Sequence, residues 1–385
     1  MNIRHVLTIF LWSFLIGAPA QPDYKAAALE LDASIERSYA YLDKLPGGVI
    51  PKSTILDAKR DAVMDEDTLL RYAEDRMASL ADHHAITGSS FDNSWAVIPT
   101  YSDLWVVARG NDFIVDAVRQ GSPASKAGID AGAILIAVNG EPIDAAVRGF
   151  WAELGLPLTA QRAAYAAQVL VAGRRDRNRI FTVKDQAGVT KTFSLPSLYT
   201  LNEEKVLVSV ETAERRTIIR INNSLGDTST IAAFDAAMAQ VPAENKLIID
   251  LRDTPSGGNT TVARAIMGWF VDKPTGYQVH SRPEEERESG IARQWIEQVL
   301  PRQGKHRSAS PTILVGRWTG SMGEGLAIGF ASFGADIQGT RMAELNGSVE
   351  DILLGNTNLS IKLPTERLMT TGYLPREQFV PTTTR

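Results

Sequence analysis

The sequence has 385 residues, an apolar fraction of 44%, a net charge of -5 and no cysteine. That length allows two or three domains with a sizeable core, and the apolar content excludes a disordered chain. The lack of a basic excess argues against a nucleic-acid partner, and the lack of cysteine excludes disulfides, thiol nucleophiles and thiolate metal sites.

In chain order, residues 1–20 read as a secretory signal peptide. Arg4 and His5 form a weakly positive start, Val6 to Gly17 is an apolar run, and Ala18-Pro19-Ala20 fits a small-x-small cleavage site. The run is short for a membrane span, although an uncleaved anchor is the alternative. Cleavage puts the mature start near Gln21, predicts a periplasmic or secreted protein, and removes Arg4, taking the charge from -5 to -6. A cysteine-free chain suits an oxidising compartment.

Residues 21–94 are predicted as an N-terminal helical region. Apolar residues recur there at three- and four-residue spacing with charges between them, and the helices can serve homodimerisation. The region ends at Leu80-Ala81-Asp82-His83-His84-Ala85. Adjacent histidines point apart on a helix or strand, which disfavours a metal pair.

Residues 95–197 read as short strands and turns. Ser122-Pro123-Ala124 starts a short helix that stops at Gly128, and Asn139-Gly140 marks a hairpin. This block resembles a PDZ domain, a fold that binds extended C-terminal peptides by adding a strand to a sheet edge. Its carboxylate-binding loop is expected within Trp105 to Val115. A helical insert from Phe150 to Gly173 departs from the pattern. The basic run Gly173 to Arg179 reads as a solvated loop.

From residue 198 to 385 strands alternate with helices, which implies an α/β layer with a partly parallel sheet. Sites in such sheets gather at the carboxyl ends of the strands. Three apolar runs break there into Gly and Ser: Lys246 to Thr261, Pro311 to Phe330 and Ala335 to Ile352. A serine at a strand-to-helix turn exposes its hydroxyl and leaves backbone N–H groups free, the arrangement acyl transfer needs. Ser321 is that serine.

Residues 75 to 385 resemble the C-terminal processing (tail-specific) peptidases and their tricorn-like relatives. Leu247 to Asn259, Val315 to Phe330 and Gly339 to Asp351 are similar to the family's three signature segments. The resemblance implies an α/β core of crotonase-like fold with an inserted PDZ-like domain and Ser321 as nucleophile. Asn346 stands where tail-specific enzymes keep a lysine base. An asparagine cannot accept the proton, and Lys362 is a remote substitute. The tricorn-like branch implies a histidine upstream of the PDZ domain, and His84 takes that place. A neutral imidazole suits proton abstraction near pH 7. Glu350 or Glu377 is expected to orient it, with Asp82 a third choice. The oxyanion hole is expected from the N–H of Met322 and from Gly257 or Gly258. Glu324 is expected to face solvent, and Asp250 and Arg252 to pair across the sheet end. No metal or cofactor is implied.

The expected function is an exported serine endopeptidase whose PDZ-like domain presents polypeptide substrate. A catalytically inactive envelope peptide-binding protein is the rival, with Asn346 as its argument. A serine hydrolase acting on non-peptide acyl groups is a third class.

Overall fold

The computed structural model describes residues 21–201 and 206–384. The expected leader, residues 1–20, lies outside them.

The N-terminal region holds helices α1 (Tyr24–Ser38), α2 (Thr54–Asp61) and α3 (Glu66–Ala78) and the short strand β1 (Ile86–Thr87). Each helix starts on a side-chain cap: Asp23 accepts from the N–H of Ala26, Ser53 from Leu56 and Asp65 from Thr68. The buried stripe Leu31, Ile35, Leu69 and Met77 shares one apolar cluster with Leu354, Ile361 and Leu363 from the far end of the chain. The helices are therefore part of the core of the whole molecule.

The middle block runs β2 (Leu104–Arg109), β3 (Asp112–Val118), α4 (Pro123–Lys126), β4 (Ile134–Val138), β5 (Glu141–Pro142), α5 (Ile143–Ala152), α6 (Ala160–Ala172), β6 (Arg179–Lys184) and β7 (Thr190–Leu195). Its sheet has the order β2-β3-β4-β6-β7, with β5 on β4. Asn139 and Gly140 have φ of 50° and 84°, the left-handed pair that a tight hairpin turn requires. Two expectations change here. The stretch Trp105 to Val115 is mostly the β2–β3 hairpin, so it supplies no carboxylate-binding loop. The basic run is only partly solvated: Arg179 is 1% exposed and pairs with the buried Asp103 at 2.6 Å, while Arg174 stacks on Trp95.

The last block runs β8 (Val208–Ala213), β9 (Arg216–Ile221), α7 (Thr230–Met238), β10 (Lys246–Asp250), α8 (Thr260–Met267), β11 (Thr275–Ser281), α9 (Pro283–Ser289), β12 (Gln294–Val299), β13 (Thr312–Val315), α10 (Met322–Ser332), β14 (Asp336–Gly339), β15 (Ser348–Leu353), β16 (Ser360–Met369) and β17 (Thr383–Thr384). One sheet has the order β17-β14-β13-β10-β9-β8, parallel from β9 to β17 with β8 antiparallel at its edge. A second, antiparallel sheet runs β1-β16-β11-β12, with β15 beside β16. The mixed α/β class is as expected. The strand at Ser360 belongs to this second sheet. Helix α10 lies between the two layers: its Leu326 and Phe330 are fully buried with Ile249, Ile313 and Tyr277.

At the carboxyl end of β10, Asp250 is fully buried and takes Arg252 through two bonds of 2.9 and 2.8 Å, the pairing expected there. Arg220 reaches the same carboxylate at 2.8 Å.

Candidate active site

Strand β13 ends at Val315 and α10 begins at Met322. Between them Ser321 holds φ 53° and ψ -116°. This is outside the ordinary left-handed basin, and a residue with a Cβ is strained there by about 1–3 kcal/mol. The strain sets Ser321 on a sharp strand-to-helix turn.

The turn locks against the loop after β10. Gly320 donates to the carbonyl of Thr254 at 3.0 Å. A Cβ on Gly320 would lie 2.6 Å from the Pro255 carbonyl oxygen, and one on Gly323 would lie 2.9 Å from that of Thr254. A Cβ on Gly257 would lie 2.6 Å from the Cβ of Met322. Only glycine permits this contact, so the structure brings Gly257 against the residue that follows Ser321. Gly258 carries φ 103°, which again favours glycine. Met322 is the first residue of α10, so the helix itself offers its N–H no partner.

Glu324 is fully buried, which corrects the expectation that it faces solvent. Its Oε2 accepts the N–H of Ser321 at 2.8 Å and that of Leu345 at 3.3 Å, and its Oε1 accepts the N–H of Glu344 at 2.8 Å. The spacing Ser321-x-x-Glu324 is that of a capping box, which was the available signal. Burial is the main cause that raises its pKa to about 7, against the lowering pull of Arg376 and the three N–H groups.

The next residue after Leu345 is Asn346. Its carbonyl oxygen lies 2.6 Å from Nδ1 of His84. A carbonyl only accepts, so Nδ1 must carry the proton and Nε2 keeps its lone pair. Burial, and then the nearby Arg376, push the His84 pKa down to about 4, so the ring is neutral at physiological pH. The side chain of Asn346 donates to Asp82 Oδ2 at 3.0 Å and accepts from Lys44 at 3.1 Å. Asp82 holds the backbone N–H of His84 at 2.9 Å and takes the Tyr39 hydroxyl at 2.7 Å.

Arg376, 3% exposed, donates to the carbonyls of Leu345 and Gly347 at 2.9 and 2.8 Å and comes within 4.0 Å of Glu324. Neither Arg376 nor Lys44 carries a local sequence signal, and the sequence reading gave them no role.

The remaining expected residues are placed as follows. Glu377 Oε1 accepts from Lys44 at 2.7 Å, and its Oε2 is buried without a hydrogen-bond partner among the described residues. Glu350 is exposed on β15 and bonded to Arg282. Lys362 is bonded to Asp351 at 2.6 Å. His83 turns away from His84, bonding the Val97 carbonyl at 2.6 Å and stacking on Tyr165.

The middle block grips the same turn. Trp318, three residues before Ser321, donates to the Ser102 carbonyl at 2.7 Å, and Arg317 pairs with Asp116 at 3.0 Å. At its outer edge β2 is met by α6: Gln168 donates to the Val106 carbonyl at 2.9 Å, and its Oε1 lies 3.4 Å from the Val106 N–H.

A serine on a strained strand-to-helix turn, set in an α/β core beside an interlocked glycine loop, is the arrangement that acyl transfer through a serine hydroxyl needs. Residues 216–378 match the model of peptidase family S41, and residues 114–148 match that of the PDZ domain. Residues 216–378 thereby form a serine peptidase domain of the S41 type, and residues 114–148 belong to a PDZ domain. Among solved structures it is similar to the photosystem II D1 C-terminal processing protease, at 15% identity and a TM-score of 0.58, covering 94% of this chain and 93% of that one. Mature CPAF is similar at 13% identity and a TM-score of 0.55, covering 94% and 92%. At such identities these likenesses speak for the fold. No curated protein matches the sequence.

Proposed function

We propose that this protein is an exported serine endopeptidase in which Ser321 attacks the peptide carbonyl and His84 takes the serine proton at Nε2. The observation that carries the reading is the φ 53°, ψ -116° of Ser321, a strained turn with no evident structural benefit. The His84–Asn346 contact supports the role of base, because it leaves Nε2 unprotonated.

The tetrahedral oxyanion would be held by the N–H of Met322 and by one from Gly257 or Gly258. A carboxylate on the histidine ring is replaced in this reading by a backbone carbonyl. Asp82 holds the His84 backbone, and Glu377 acts at one remove by holding Lys44 against Asn346. Glu350, engaged by Arg282, is left out of the mechanism. The lysine dyad of the tail-specific enzymes is likewise absent from the proposal. Asn346 is no sign of a dead site in this account, because its backbone and side chain both serve the histidine.

Export rests on the sequence of residues 1–20. Among the described residues no helix is long and apolar enough to cross a membrane. Polypeptide substrates follow from the peptidase family. The PDZ domain reaches the catalytic turn through Trp318, and we assign it the role of setting that turn as well as meeting substrate. The N-terminal helices are the surface proposed for a homodimer.

The test is labelling of the purified mature chain with a fluorescent fluorophosphonate, beside Ser321→Ala and His84→Ala. Labelling of the wild type that is lost in both variants supports the assignment. Equal labelling of Ser321→Ala, or none in folded wild type, overturns it.

A further inference from the structure

The segment that aims His84 has no sheet to hold it. Strand β14 ends at Gly339 and β15 begins at Ser348. Within the gap, Glu344 and Gly347 have φ of 60° and 55°, so the chain bends twice around Leu345-Asn346. A loop with two left-handed residues and no ladder needs partners for its backbone groups. Two buried side chains provide them. The Glu324 carboxylate takes the N–H groups of Glu344 and Leu345, and the Arg376 guanidinium takes the carbonyls of Leu345 and Gly347. The carbonyl left over between these is that of Asn346, which receives His84 Nδ1.

The same carboxylate also holds the N–H of Ser321. One buried group thus touches both halves of the site: the strained serine turn, and the loop whose carbonyl orients the histidine. The two halves come from different elements. The Ala343 N–H also joins them by donating to the Thr319 carbonyl at 3.0 Å, and Arg317 reaches the Met342 carbonyl and the Glu344 carboxylate, but none of these bonds takes the N–H of Ser321, Glu344 or Leu345. All three partners of Glu324 are N–H donors, so an ionised carboxylate satisfies them and an amide cannot.

Resting on the serine–histidine reading above, we infer that Glu324, braced by Arg376, is a positioning residue that sets the Ser321 turn and the tautomer of His84 together. It touches no substrate in this role. Replacing it by glutamine puts a second set of N–H donors against donors, so the 344–347 loop shifts and the Asn346 carbonyl leaves its line to Nδ1. A displacement of about 1 Å in a catalytic group costs on the order of 100-fold in rate.

The experiment compares wild type, Glu324→Gln and Arg376→Lys in the full mature chain. The first readout is the nitrogen spectrum of the histidine rings in 15N-histidine-labelled protein, with His84 assigned by His84→Ala. The wild type is expected to show His84 as a single neutral tautomer protonated at Nδ1. Both variants are expected to show an exchanging mixture of tautomers and faster amide exchange at Glu344 and Leu345. The second readout is turnover, with kcat lowered about 100-fold and KM within about 3-fold in Glu324→Gln.

Arg376→Lys keeps the charge and removes the two-carbonyl fork, so it tests the same loop if the glutamine variant fails to fold. An unchanged His84 tautomer in a folded variant overturns the inference, whatever the activity. A wild type that turns over nothing, yet whose tautomer is lost in the variants, would sink the peptidase reading and leave the positioning role standing.

Discussion

The main-chain carbonyl of Asn346 accepts the Nδ1 proton of His84 at 2.6 Å. The position that would hold a lysine base in tail-specific relatives therefore serves the histidine through its backbone. Its side chain joins Asp82 to Lys44, a donor role on one side and an acceptor role on the other. Asparagine meets both demands, and lysine meets only the first.

A lysine at position 346 should therefore fail as a repair. Asn346→Lys would set two ammonium groups against each other at Lys44, and the acceptor there is lost. We expect it to lower the melting temperature and to leave turnover at or below the wild-type level. Asn346→Ala keeps the carbonyl and loses only the two side-chain bonds, which cost about 1 kcal/mol each. It should retain turnover within about 10-fold while His84→Ala loses it. Steady-state kinetics and thermal melts of the three variants check this.

Glu324 should separate stability from activity. Its folded pKa is raised from 4.5 to about 7. The folded state thus binds the proton more tightly than the unfolded one. The resulting stabilisation is complete below pH 4.5 and is lost as pH rises through 7. The raised pKa corresponds to a stabilisation on the order of 3 kcal/mol. Glu324→Gln cannot ionise, so its stability relative to wild type should improve between pH 5 and pH 8. Its turnover should nevertheless be lower at pH 8. Urea melts of both proteins at the two pH values test the sign.

The two carboxylates expected at the histidine should behave differently. Glu350 is exposed and bonded to Arg282, an ion pair of the kind worth about 0–1 kcal/mol. Glu350→Gln should leave kcat within about 2-fold. Glu377→Leu removes the acceptor that anchors Lys44 and so loosens Asn346. It should lower kcat about 10-fold, an effect that Lys44→Met should reproduce and that the double variant should not enlarge. Additive losses in the double variant would break the proposed link.

Much of this was legible in the sequence because its signals are local. Alternating apolar runs marked the strands, Asn139-Gly140 marked the hairpin, and the glycine-rich ends of β10 and β13 marked the strained turn at Ser321. The fate of Glu324 was also local, written in the capping-box spacing after Ser321, yet a helix position three residues on looks solvent-facing until the second layer is known. Arg376 and Lys44 were not legible. Their partners lie 29 residues or more away in the chain, and nothing near either residue marks it. The carbonyl on His84 was hidden for a further reason: any residue can supply a backbone oxygen.

The glycine at 257 can be tested by adding one carbon. A Cβ there meets the Met322 Cβ at 2.6 Å and the Leu225 Cβ at 3.0 Å, and none of these three atoms can move without its backbone. Gly257→Ala should push the loop off the N-terminus of α10 and separate the proposed oxyanion donors. Loss of one such donor costs about 100- to 1000-fold in kcat. Gly258→Ala meets no atom within 4 Å but carries φ 103°, so its cost should appear as strain, chiefly in melting temperature.

The PDZ domain yields a prediction about substrate. A peptide that adds as a strand needs the open edge of β2, and the N–H and carbonyl of Val106 lie at the middle of that edge. Gln168 of α6 already occupies both, at 3.4 and 2.9 Å, and is itself buried. Strand addition at this edge therefore requires α6 to withdraw and both polar groups to exchange partners. We expect the wild-type protein to bind hydrophobic C-terminal peptides weakly there. Gln168→Leu keeps the packing volume and removes both bonds, leaving Val106 unpaired and the edge more receptive. Peptide affinity measured by fluorescence anisotropy should then rise several-fold, with a modest loss of melting temperature. If affinity is high in the wild type and unchanged in Gln168→Leu, peptides enter by another surface of the domain. The contact of Trp318 with Ser102 would then be the more direct route from the domain to Ser321.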